Sequence, residues 1–165
     1  MSAKRKMAAV EGGICHCTSL RKASRRISQM YDIALAPSGL KNTQRAILSQ
    51  IRLGGAMTIS ALAEALVMDA GGRAHTLKPL DRDGLVEIGV DPDDRRGRVV
   101  SLSPAGLAKL KEAEALWNAA QHGFENAFGH AQSALLLKAV NQLTSDQFLV
   151  AFERALEEKG TSRHR

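Results

Sequence analysis

Apolar residues recur along this chain at spacings that alternate between helix and strand. Ile14, Leu20, Ala23, Ile27, Met30, Ile33 and Ala34 stand three and four residues apart, which predicts a helix from Ile14 to about Leu35. Arg21, Lys22, Arg25 and Arg26 fall mainly on its other side, and Pro37-Ser38-Gly39 ends it. Ile47, Leu48 and Ile51 share one face of a second helix, Thr43 to Leu53, stopped by Gly54-Gly55. A short third helix is expected from Ala61 to Val67, with Ser60 as its N-cap and Ala63 and Leu66 turned inward. A fourth runs from a cap at Asp69 to about Asp83, where Gly84 stops it. Pro79 lies inside that helix, where it removes one backbone hydrogen bond and is expected to kink the last turn. Helices three and four, joined by a tight turn, form a helix-turn-helix candidate.

Two short apolar runs follow, Leu85 to Val90 and Arg98 to Leu102, separated by the loop Asp91-Pro92-Asp93-Asp94-Arg95-Arg96-Gly97. They read as a β-hairpin, and a hairpin directly after a helix-turn-helix is a wing. Ser103 caps a long helix with Pro104 at its first position, carried by Leu107, Leu110, Ala113, Leu116 and Trp117 to about Phe128. A last helix spans roughly Ser133 to Glu158 and is interrupted or bent near Leu143-Thr144. The expected fold is therefore mainly α with a small β-hairpin: a winged helix-turn-helix with long dimerisation helices. Residues 1–12 read as a disordered arm, 40–103 as the DNA-binding domain, and 13–36 with 104–160 as a helical dimerisation region. The flanking helices have apolar stripes that so small a winged helix cannot cover, and a second copy of the chain would bury them. Ile14, Leu20, Leu135, Leu136, Val140, Phe148 and Phe152 are the expected interface residues.

Composition and charge narrow the function. With 165 residues, 44% hydrophobic and 24% charged, the chain is globular and not disordered. No apolar run reaches a membrane span, and no signal peptide is expected behind the basic N-terminus. The two cysteines, Cys15 and Cys17, rule out a disulfide scaffold and favour the reducing cytoplasm. The net charge is +6 and unevenly spread: residues 1–57 hold ten Lys/Arg against two acids. Such a balance suggests a polyanion partner, although an inert basic surface is the plain alternative.

The wing tip sets Arg95, Arg96 and Arg98 beside Asp91, Asp93 and Asp94. Arginine on a protruding tip suits the narrow minor groove, and a neighbouring carboxylate can hold a guanidinium in position. A solvated charged turn is the plainer reading. Residues 40–106 resemble the MarR family of winged-helix transcription regulators. Asp94-Arg95-Arg96-Gly97-Arg98-Val99-Val100-Ser101-Leu102-Ser103 is similar to that family's wing pattern, and Leu77 to Val86 to the end of its recognition helix and the following strand. The resemblance implies an obligate homodimer on a pseudo-palindromic double-stranded DNA operator, with Asp94 positioning Arg96 for the minor groove.

In the fourth helix, Arg73, Leu77 and Leu80 share a core-facing stripe with Ala70 and Ala74. Gly71, Gly72, His75, Lys78 and Arg82 point elsewhere, as a major-groove helix would present them. Arg73 is kept as a DNA contact whose stem packs inward while its head reaches outward. Gly71 and Gly72 replace the family's usual Ser or Thr and cannot hydrogen-bond a base through a side chain.

Cys15-His16-Cys17 is a poor metal site, because successive helical residues point apart and no second cluster completes it. Peroxide-sensing MarR relatives carry a reactive cysteine near the start of helix one and a tyrosine fourteen residues later, a spacing that Cys17 and Tyr31 share. Two further aromatics of those sensors are replaced here by Arg21 and Lys41. The alternative for Cys15 and Cys17 is two small, partly buried apolar side chains. Two residues apart in one helix, they are not expected to pair with each other.

No phosphate loop, His-Glu-x-x-His motif or serine elbow is present, so no enzyme activity and no cofactor are expected. The resemblance implies a regulator, read as a repressor released by a small aromatic or phenolic acid, as in most of that family, or by an oxidant. Helices one, two and five would line the effector pocket. A thiol peroxidase using Cys17, and a helical interaction module without DNA affinity, are the alternatives.

Overall fold

A computed structural model describes residues 15–68 and 70–161. The arm over 1–12, Ile14 and the Asp69 cap lie outside the described residues. The chain divides into two compact units after Trp117.

The first unit opens with α1, His16–Leu35, capped by Cys15. A 3-10 turn, Ala36–Ser38, leads to α2, Asn42–Gly54. The carboxylate of Asp32, in the last turn of α1, accepts the Asn42 N–H at 2.7 Å and so ties the two helices. Then come β1, Met57–Thr58, and α3, Ile59–Ala65. Two expectations are corrected here. The cap of α3 is Thr58, whose hydroxyl accepts the Ala61 N–H at 3.0 Å, and not Ser60. Residues 57–58 also form a strand that the sequence did not announce, pairing Met57 with Val100 and Thr58 with Val99. The wing is consequently the larger part of a three-stranded antiparallel sheet, ordered β1-β3-β2.

The recognition-helix candidate is α4, Ala70–Arg82, and it continues through Pro79. The hairpin strands are β2, Val86–Val90, and β3, Arg98–Leu102, in the register Val86 to Leu102 and Val90 to Arg98. The long helix α5, Pro104–Phe128, begins where expected. Ser103 Oγ accepts the Gly106 N–H at 2.9 Å and donates to the Gly84 carbonyl at 2.6 Å, so one hydroxyl caps α5 and holds the end of α4. A Cβ at Gly106 would collide with the Leu85 carbonyl oxygen, which explains glycine at that approach. The core joins Leu35, Ile47, Leu48, Ile51, Leu62, Leu77, Leu80, Val86, Val100 and Leu110.

In the second unit, the expected last helix is two: α6, His130–Leu143, and α7, Asp146–Thr161. They separate at the anticipated bend, where Thr144 closes α6 and Ser145 Oγ accepts the Phe148 N–H at 3.3 Å. α6 has no buried residue, and Leu135 and Phe152 are 68% and 53% exposed in the single chain.

Candidate nucleic-acid interface

The wing loop is built by hydrogen bonds among its own residues. Asp91 Oδ1 accepts the Asp93 N–H at 3.0 Å, and Asp94 Oδ1 accepts the Arg96 N–H at 2.9 Å. The Gly97 N–H donates to the Asp94 carbonyl at 2.8 Å and the Asp91 N–H to the Gly97 carbonyl at 3.2 Å, closing the tip. Gly97 has no room to spare, since a Cβ there would stand 3.0 Å from Asp91 Cβ and 3.2 Å from the Asp94 carbonyl. Arg95, Arg96 and Arg98 are all exposed, and Arg98 Nη1 turns back to the Gly97 carbonyl at 3.2 Å.

Asp94 thus acts on Arg96 differently from the expected guanidinium clamp. Its carboxylate fixes the backbone of Arg96, and among the described residues no ion pair involves a wing arginine. The guanidinium groups remain available to an external anion, while the acids that shape the loop are engaged with N–H groups.

On α4, Leu77 and Leu80 are buried and Lys78 and Arg82 exposed, in agreement with the phase read from the sequence. Arg82 is not a bare cation: its Nε donates to Asp83 Oδ1 at 2.8 Å. That bond raises the arginine above its usual value and lowers the aspartate. Gly71, Gly72, Arg73 and His75 lie on the α4 backbone, and their side chains fall outside the described residues.

Cys15 and Cys17 are both exposed in the single chain, at the start of the helix expected to pair the subunits. Cys15 is also not a helical residue: it is the N-cap of α1, with an extended backbone (φ −85°, ψ 103°). The argument that two helical residues point apart therefore does not apply to this pair. Thr18 donates to Cys15 Sγ from its hydroxyl at 3.2 Å and from its backbone N–H at 3.4 Å. The hydroxyl first and the N–H second hold the Cys15 thiol below its ordinary value. Tyr31 is half-buried on the same helix as Cys17, and fourteen residues of helix separate them by about 21 Å along its axis. Within one chain they cannot share a site.

One contact gave no sequence signal. The Arg45 guanidinium of α2 lies over the Trp117 ring of α5, with its central carbon 3.9 Å from the ring centroid. Its Nε is buried without a hydrogen-bond partner among the described residues. Burial, then the nearby Arg52, lowers this arginine, and Glu114 opposes them.

Comparison with known proteins bears on this geometry. A family described as a winged helix DNA-binding domain matches residues 40–106. The transcriptional regulator MosR of M. tuberculosis, solved in complex with DNA, is 33% identical, with a TM-score of 0.65 over 78% of this chain and 97% of that one. The multiple antibiotic resistance protein MarR of Salmonella typhimurium is 35% identical over 74 residues, which is 45% of this chain. The chain belongs to the MarR family of winged-helix transcriptional regulators. The match spans about half the length of the curated MarR proteins (51%). A mutant MarR from E. coli complexed with operator DNA shares the fold at 21% identity and a TM-score of 0.69, over 77% of this MarR-family chain and 91% of that one. Among the described residues no helix is long and apolar enough to cross a membrane, and no group of His, Cys, Asp and Glu is arranged to hold a metal.

Proposed function

We propose that this MarR-family chain acts as a homodimer that grips a pseudo-palindromic DNA operator and represses transcription until a signal releases it. The observation that carries the reading is the wing: three exposed arginines at and beside a loop in which the Asp91 and Asp94 carboxylates are occupied by backbone N–H groups. MosR, a relative at 33% identity over nearly its whole length, was solved on DNA, which supports the same partner here. Residues 40–103 would engage DNA, with Lys78, Arg82 and the α4 start at Gly71, Gly72, Arg73 and His75 toward the major groove. Residues 13–36 and 104–160 would pair the subunits, in the cytoplasm. The uncovered apolar faces of α6 and α7 support that pairing.

An oxidant is the signal that a specific observation favours. In the single chain Cys15 is exposed, its thiolate is favoured by the Thr18 donors, and it stands two residues from a second exposed thiol. This moves the emphasis from Cys17 to Cys15. For Cys17 and Tyr31 to share a site, Tyr31 must come from the other subunit, which fits a dimer. A small acid remains the rival signal, and Arg45 over Trp117 puts a cation between α2 and α5, where such an effector was expected. Titrating a preformed DNA complex with organic hydroperoxide decides between them. Release from the wild type and retention by Cys15→Ser support the oxidant; equal retention by both removes it. Steady peroxide turnover with a reductant would indicate a thiol peroxidase instead.

A further inference from the structure

A groove runs beside α4 that neither the wing nor the cysteines use. Lys41, Thr43 and Gln44 at the start of α2 form one wall, and Thr76 and Pro79 of α4 form the other, around a volume of about 430 Å³. At 100° per residue, Pro79 and Thr76 fall between the exposed stripe of Lys78 and Arg82 and the buried stripe of Leu77 and Leu80. The groove therefore borders the face of α4 that would meet DNA.

Among the described residues its one charged lining group is the Lys41 ammonium, which is exposed and makes no ion pair with any of them. The neighbouring carboxylate, Asp32, is occupied by the Asn42 N–H. Gln44 uses its Oε1 on the Lys41 N–H at 2.9 Å, so its NH2 is the end left for an acceptor. An open groove with an unpaired ammonium at its edge suits a charged strand passing over it better than an enclosed apolar effector.

We infer that this groove receives a backbone phosphate of the DNA strand beside the recognition helix, with Lys41 as its cationic contact and Thr43 and Gln44 as hydrogen-bond donors. The inference rests on the DNA-binding reading above. A free phosphate would gain little from one exposed lysine in water. A duplex already held by α4 and the wing carries its phosphate to the groove, where the contact fixes register without reading sequence.

The test is fluorescence anisotropy of the full chain on labelled mixed-sequence duplexes of about 25 base pairs, across about 50 to 200 mM KCl. Lys41→Gln should weaken binding about threefold to tenfold, by a similar factor for every duplex. It should also make the slope of log affinity against log salt shallower by about 0.9 per groove engaged. Lys41→Arg should behave as wild type. So should Lys111→Gln, which removes the same charge from an exposed position on α5. A Lys41→Gln protein with wild-type affinity and slope overturns the inference, and so does a Lys111→Gln protein that loses as much. A wild-type chain that binds no duplex removes the DNA-binding reading itself, and this inference with it.

Discussion

The bond from the Arg96 N–H to Asp94 Oδ1 sets two electrostatic accounts of the wing against each other. If the wing acted only by charge, removing Asp94 would make the tip more basic and tighten DNA binding. If Asp94 shapes the loop so that Arg96 projects, its loss costs affinity. Arg96→Ala is expected to weaken operator binding by about 1–3 kcal/mol. Asp94→Ala is expected to weaken it too, despite the gained charge; tighter binding by Asp94→Ala in the same titration discards the positioning role. The arginines were legible in the sequence as a run on a turn. The carboxylate's true partner was not, because the same Asp-x-Arg spacing serves a side-chain pair and a backbone turn equally well.

At the scale of elements, α3 and α4 end in the same way with different residues. After α4, the Gly84 N–H reaches the Asp81 carbonyl at 2.9 Å and the Leu85 N–H the Leu80 carbonyl at 2.8 Å, with Gly84 at φ +67°. After α3, the Val67 N–H reaches Glu64 at 3.0 Å and the Met68 N–H reaches Ala63 at 2.8 Å, with Val67 at φ +50°. A β-branched residue in the left-handed region is strained by about 1–3 kcal/mol, and Val67 is 75% exposed, so packing offers little in return. Val67→Gly is expected to stabilise the protein by about 1 kcal/mol in urea unfolding; a lower midpoint would show that Val67 packs usefully in the assembled protein. Sequence found the stop at Gly84 because glycine announces it; it also ended α3 at Val67, but nothing in a valine announces a left-handed residue there. It likewise missed β1, since two residues carry no period and Thr58 serves as both strand end and helix cap. Ser103 and Pro104 were legible because a capping hydroxyl followed by proline has few other uses.

For the molecule as a whole, the second unit exposes Leu135, Leu137, Leu149, Phe152 and Leu156, more apolar side chain than a lone subunit keeps in water. Light scattering at micromolar concentration is expected to give twice the chain mass of 17.7 kDa. Leu135→Glu with Phe152→Glu should halve it. A wild-type monomer contradicts the dimer. The sequence singled out Leu135 and Phe152 among these, but not Leu137, Leu149 or Leu156, and not the Arg45 stack on Trp117, which joins residues 72 positions apart.

The central claim is that two winged helices of one dimer read one stretch of duplex. Its most direct measurement is a footprint of the wild-type chain on the DNA upstream of its own gene. The account predicts a protected segment of about 20 base pairs with dyad symmetry, its half-sites about one helical turn apart. Loss of that protection is expected with Arg96→Ala. A dimer that leaves the whole region unprotected, or protects a single asymmetric half-site, contradicts it.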